Sequence, residues 1–297
     1  MSSINLTPQR SETKLVPSLP FIIVFALVMV AGGFLFLAFM PSILPAEAST
    51  QAQQVDRIFG FMLFIGAIVF FLVQGLLVVS VVKWRVRPGD KADGPPVHGN
   101  TTLEAVWTAI PTLIVAVIAV ISLDVYNQTR IIAPSEQAVQ AIGARYAWTF
   151  NYTISQEDLP AGIDFNALKP EIQADLNDED GVITFSSTKL YTWVGRPTVV
   201  RMNAADVNHA FWIPAMRVKQ DVLAGRTTEI RFTPTQVGSY RVVCAELCGA
   251  GHGNMAGEIA TDPATGEEFL SGAWVIVYAT EEEYLSQFFE PTAITNL

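Results

Sequence analysis

The chain has 297 residues, 51% of them hydrophobic and 15% charged, with a formal net charge of -10 and a mean hydropathy of +0.36. That is too apolar for an ordinary soluble enzyme, so part of the chain belongs in lipid. The acidic balance excludes a nucleic-acid partner and suits a basic protein partner, although each acidic run can also serve as a solvated face.

Residues 1–18 read as a cytoplasmic N-terminus. Apolar stretches follow at 19–40, 58–82 and 106–126, each long enough for a hydrocarbon core that takes about 20 helical residues. The first is expected as a transmembrane span or uncleaved signal anchor; a cleaved signal peptide is the alternative, because small residues (PAEAST) end it. Pro111 in the third is tolerable as a kink among neighbouring helices. Lys83, Arg85, Arg87 and Lys91 crowd the link between the second and third stretches, which makes that link cytoplasmic and the pair a transmembrane hairpin. The link between the first and second offers only Arg57 against Glu47 and Asp56. Arg10 and Lys14 agree with an inside N-terminus, so residues 127–297 fall on the outer, periplasmic face of a cell membrane that the chain crosses several times.

Beyond Asp124 the texture changes to short runs rich in Val, Ile, Thr, Tyr and Phe. They lie at 146–152, 181–186, 198–203, 227–233, 238–244 and 274–278, with turn signals between, and predict an all-β sandwich. The polar stretch 155–180 reads as an excursion on the surface, and TDPATGEEF from Thr261 as a turn-rich loop. Acidic residues concentrate at Asp178-Glu179-Asp180, Glu267-Glu268 and Glu281-Glu282-Glu283.

The only two cysteines fall in CAELCGAGHGNM, where Cys244, Cys248, His252 and Met255 are spaced four, four and three residues apart. Gly249, Gly251 and Gly253 let this loop turn its side chains toward one point. His209, in DVNHAFW, is a second candidate imidazole that folding must bring across the sandwich. Thiolate, imidazole and thioether suit copper, and one remote His with a Cys/His/Met loop is how a cupredoxin holds it. A single blue-copper ion needs one Cys; two thiolates, two imidazoles and a thioether suffice for two copper ions bridged by both sulfurs. All positions are then filled by protein, which leaves electron transfer and no bond chemistry.

Three other readings compete. CxxxC outside the cytoplasm forms disulfides, zinc accepts Cys2His2 but seldom Met, and Met255 and His209 could be packed core residues. Taken together, the five residues favour copper over each. His98 lies on the cytoplasmic link and is not a ligand.

These residues resemble subunit 2 of the haem-copper cytochrome c oxidases. The resemblance runs through GPPVHGNTTLEAVWTAIPTLIV, YAWTFNY, ADVNHAFWIPAMRVKQDVLAGR and FTPTQVGSYRVVCAELCGAGHGNM, nearly everything from the second span to the final strand. It implies a membrane hairpin of two or three helices with a cupredoxin-like sandwich. It further implies that His209, Cys244, Cys248, His252 and Met255 bind the dinuclear CuA centre, with the carbonyl of Glu246 as a further ligand and its side chain on a magnesium ion shared with the catalytic subunit. Glu104 matches the mouth of a proton path, although an interfacial carboxylate near a helix start is the simpler reading. No catalytic residue lies in this chain: it would accept electrons from a c-type cytochrome or a small copper protein. It would pass them to haem in catalytic subunit 1, which, with the other oxidase subunits, reduces oxygen to water and pumps protons.

The aromatic strand departs from the family. Where most members read QWxW, this chain reads Arg145-Tyr146-Ala147-Trp148, which puts Tyr146 where electrons arrive and Trp148 behind it, a form more similar to oxidases of the cyanobacterial kind. The alternatives are the CuA subunit of a nitric oxide reductase and a membrane-tethered copper chaperone or thiol oxidoreductase. Trp212 and the strand-rich texture speak against the latter, which has no need of Met255, and the intact cysteines speak against a copper-free quinol oxidase subunit.

Overall fold

The computed structural model describes residues 19–85, 88–89, 99–155 and 182–290, together with 157, 159–160, 163, 167–169, 172 and 174–177 between them. The N-terminal segment 1–18, Arg87, Lys91, His98 and the acidic run 178–180 lie outside the described residues.

Among the described residues, three helices are long and apolar enough to cross a membrane: α1 (Leu19–Ile43), α2 (Thr50–Trp84) and α3 (Thr101–Gln128). At 1.5 Å per residue the 35 residues of α2 span about 52 Å, well beyond a hydrocarbon core of about 30 Å. Hydropathy marks only the part suited to lipid, which is why the helix starts at Thr50 and not near 58.

The chain divides into two compact units, Met1–Pro41 with Gly60–Gly99 and Ser42–Phe59 with Asn100–Leu297. In the first, α1 and α2 pack through glycines: Phe71 covers Gly32, Phe64 covers Gly33 and Phe25 covers Gly75, leaving no room for a β-carbon. Small residues at such crossings let helix backbones approach.

In the second unit, Asn100 caps α3 by accepting from Leu103 N at 3.1 Å, and Glu104 Oε1 accepts from Asn100 N at 3.3 Å. The β-strands that follow are β1 (Gln137–Ala144), β2 (Ala147–Ser155), β3 (Ala174–Asn177), β4 (Val182–Ser187), β5 (Lys189–Trp193), β6 (Thr198–Ala204) and β7 (His209–Ile213). They continue with β8 (Val218–Val222), β9 (Thr228–Phe232), β10 (Gly238–Arg241), β11 (Val243–Cys244), β12 (Glu258–Thr261), β13 (Glu268–Ser271) and β14 (Trp274–Tyr278), before a short helix α4 (Glu281–Leu285).

The strands form a six-stranded sheet in the order β3-β4-β2-β1-β6-β9, three-stranded sheets β10-β14-β5 and β11-β7-β8, and the hairpin β12-β13. The pairs β1/β6 and β5/β14 are parallel and the rest antiparallel. Period-two alternation sends Trp148, Phe150, Tyr152 and Ile154 of β2 inward, where they share one buried core with Phe211, Leu190, Met202, Val275 and Phe288. Each such side chain contributes on the order of 1.5–3 kcal/mol when fully buried. The result is a β-sandwich.

One sequence expectation needs correction. The stretch 155–180 is not wholly a surface excursion: Ile163 is 5% exposed within the core, and Leu168 bridges Phe289. Its polar composition hid the few apolar residues that anchor it. The link between the first two spans is tied down by hydrogen bonds. Ala48 N donates to Ala215 O, Thr235 N to Ala48 O and Thr50 N to Thr233 O, while Ser49 Oγ accepts from Ala52 N and donates to Met216 O. Arg217 donates two hydrogen bonds to Asp56, both at 2.9 Å, and others to the carbonyls of Pro214 and Pro45.

Candidate metal centre

Strand pairing assembles the site. The β11/β7 pair sets Cys244 opposite Phe211, and Ala245 N donates to Ala210 O, so the cysteine at the end of β11 meets the histidine that opens β7. Cys244 Sγ lies 3.8 Å from His209 Nδ1. The loop after Cys244 closes on itself: His252 N donates to Gly249 O, Asn254 N to Gly251 O and Met255 N to His252 O, and Cys244 N returns to Met255 O at 3.0 Å.

Within this loop Cys248 Sγ is 4.0 Å from Cys244 Sγ, 3.5 Å from His252 Nδ1 and 4.0 Å from Met255 Sδ, and Cys244 Sγ is 3.2 Å from the Glu246 carbonyl oxygen. The ligand atoms of His209, Cys244 and Cys248 all lie within 4.8 Å of one another. Both cysteines are free, and their separation is about twice the roughly 2.05 Å of a disulfide. Yet 4.0 Å is less than two metal–thiolate bonds of about 2.3 Å each, so one ion can bond both sulfurs. His209 and Met255 are buried, as are both thiols. The donor set is soft, with only His252 partly exposed, and it fits copper.

Sequence reasoning missed the group behind His209. Its Nε2–H donates to Asp206 Oδ1 at 2.9 Å, which leaves Nδ1 with a lone pair facing Cys244. Asp206 also accepts from Val207 N, from Arg145 N and from Arg145 Nε. The His209 hydrogen bond, followed by the backbone N–H groups of Arg145 and Val207, holds its carboxyl well below the usual range. The available signal was DVNH, an acid three residues before a candidate ligand histidine. Burial, then the neighbouring Cys244, pushes the Cys248 thiol up to about 11, so without metal it is protonated at neutral pH.

Tyr146 sits in the turn between β1 and β2 with its ring on the loop backbone. A β-carbon on Gly251 would lie 2.6–2.8 Å from ring atoms, and one on Gly249, whose φ is +139°, would lie 2.6 Å from the hydroxyl. Trp148 is buried, edge-on to Phe211 and to His209 at centroid distances of 5.2 and 5.9 Å. Gly143 makes room, because a β-carbon there would touch both Trp148 and His209. The structure does not gather every candidate: the Glu246 residue is exposed, and Glu104 stays at the start of α3, bonded to its own helix cap.

Two family profiles match the chain: the transmembrane domain of cytochrome c oxidase subunit II over residues 37–125, and its periplasmic domain over 137–261. Cytochrome c oxidase subunit 2 of Synechocystis sp. is 37% identical over 232 residues, covering 72% of this chain and 70% of its own. The chain belongs to the cytochrome c oxidase subunit II family. The subunit 2 proteins of Thermostichus vulcanus (34% identity, 73% and 74% coverage) and Cereibacter sphaeroides (30%, 70% and 72%) are further relatives. Its function is that of subunit II in a haem-copper terminal oxidase, an oxidoreductase complex, and the reductase and chaperone readings are not favoured. The periplasmic domain of this family implies CuA copper, and that domain faces outward from the membrane.

Proposed function

We propose that this subunit II holds a dinuclear copper centre through His209 Nδ1, Cys244 and Cys248 Sγ, the Glu246 carbonyl oxygen, His252 Nδ1 and Met255 Sδ. The convergence of both sulfurs, both Nδ1 atoms and the thioether where the copper loop meets the start of β7 carries the reading. When bound, the copper pair supplies reversible one-electron chemistry at low reorganisation cost. The chain's own residues do the rest. Asp206 fixes the His209 tautomer, burial keeps water off the sulfurs, and Gly249 and Gly251 let Tyr146 lie on the loop as the point where electrons arrive, with Trp148 packed behind.

On this reading the donor is a c-type cytochrome or a small copper protein, and the acceptor is haem in catalytic subunit 1. That partner, with other oxidase subunits, reduces oxygen to water and pumps protons. The exposed Glu246 carboxylate is free to meet a magnesium ion at the boundary with subunit 1, since hard oxygen suits that ion. Glu104 marks the mouth of a proton path, its carboxylate held at the start of α3 by Asn100 N–H. The three helices cross the cell membrane with the α2–α3 link inside and residues 127–297 outside.

Metal analysis of the purified full-length chain tests the ligand set. Two copper ions per chain are expected, and Cys248→Ser should lose the paired centre. One ion or fewer in the unmodified chain overturns the assignment.

A further inference from the structure

Three elements meet at one carboxylate beside the metal site. Asp206, from the loop between β6 and β7, takes the His209 Nε2–H on Oδ1, and on Oδ2 it takes both the backbone N–H and the Nε–H of Arg145, at 2.9 and 3.0 Å. Arg145 belongs to the β1–β2 turn and directly precedes Tyr146, and the same two segments are tied again where Ala205 N donates to Gly143 O at 2.9 Å. Exposure falls inward along this line, from 50% at Arg145 to 23% at Asp206 and 0% at His209.

An unpaired carboxylate behind a ligand imidazole makes it a stronger electron donor to metal. Here the guanidinium shares that carboxylate's charge, and its planar, permanently charged group holds the oxygens in a fixed direction as an ammonium cannot. Because Arg145 is half exposed, water and salt screen any direct pull on the copper centre. Its influence must pass through Asp206.

We propose that Arg145 is a positioning residue for electron transfer: acting through Asp206, it fixes the His209 ring and limits the negative charge that the imidazole delivers to copper. This rests on the copper assignment above. It gives the turn that carries Tyr146 a second task, so the place where electrons arrive and the potential of the centre they reach are set by neighbouring residues.

The test is a double-mutant cycle in the assembled oxidase, with Arg145→Gln and Asp206→Asn singly and together. Copper content, the electron paramagnetic resonance spectrum and the reduction potential of the copper centre are measured. Arg145→Gln should keep both copper ions and lower the potential, shifting electron sharing with a fixed redox mediator several-fold toward the mediator. In the Asp206→Asn background the same change should do nothing further, because coupled residues are non-additive. Arg145→Lys should fall between Gln and the parent. An unchanged potential in Arg145→Gln, an equal shift in both backgrounds, or loss of copper from both the Gln and Lys variants overturns the proposal. Absence of a two-copper signal from the parent protein would instead overturn the copper assignment, and this inference with it.

Discussion

At Met255 a buried thioether lies 4.0 Å from Cys248 Sγ, and its volume is close to that of leucine. Met255→Leu should therefore leave the fold standing, at a cost under about 1.5 kcal/mol. It should keep copper bound while changing the potential and the electron-transfer rate; loss of all copper would mean that the thioether holds the metal and does not merely tune it. Gly251→Ala is the sharper steric probe, since the new methyl group enters the Tyr146 ring. We expect donor-driven turnover to fall about tenfold or more while the copper spectrum persists, a small misplacement being enough for such a loss. The clustering of Cys244, Cys248, Met255 and the remote His209 was legible, because Cys, His and Met at loop spacing have few other uses. Asp206 and Arg145 were not, because their role depends on hydrogen bonds between residues 61 apart, and Tyr146 was singled out only through the family resemblance.

Among the elements, the copper loop predicts a pH dependence. With the Cys248 thiol raised to about 11 by burial, it carries a proton at neutral pH that copper must displace. Apparent copper affinity should fall as pH falls, by roughly tenfold per unit for each proton released, measured by competition with a chelator of known affinity. Affinity independent of pH between 6 and 8 would contradict this, those values being about the range where such a thiol stays protonated. The start of α2 predicts a stability effect: Asp56 and Arg217 are both nearly buried, and removing one charge strands the other. Asp56→Ala should cost about 3–5 kcal/mol and lower the thermal midpoint, whereas a paired apolar replacement of both residues should cost far less. Strands β2, β4, β6, β9, β10 and β14 were readable from their Val, Ile and aromatic alternation. Strand β1, QAVQAIGA, and strand β8, VKQDV, were not: small and polar residues become strand there only because β6 and β7 pair with them. Asp56 was read as a loop charge for the same reason, since its partner lies 161 residues away.

At the scale of the whole molecule, apolar helices and a strand-rich acidic half were separable from composition alone, and the family match joins them into one oxidase subunit. Composition does not say how the candidate ligands come together; strand pairing β11/β7 does, by bringing His209 to Cys244. The net charge of -10 predicts that turnover with a basic donor declines as ionic strength rises, since screening weakens long-range steering. The central claim is that Cys244, Cys248 and their neighbours would hold two copper ions that share one unpaired electron, and an electron paramagnetic resonance spectrum of the oxidised protein tests it most directly. Two equivalent copper nuclei give seven hyperfine lines, the result expected here. Four lines, from an electron confined to a single copper, would contradict it.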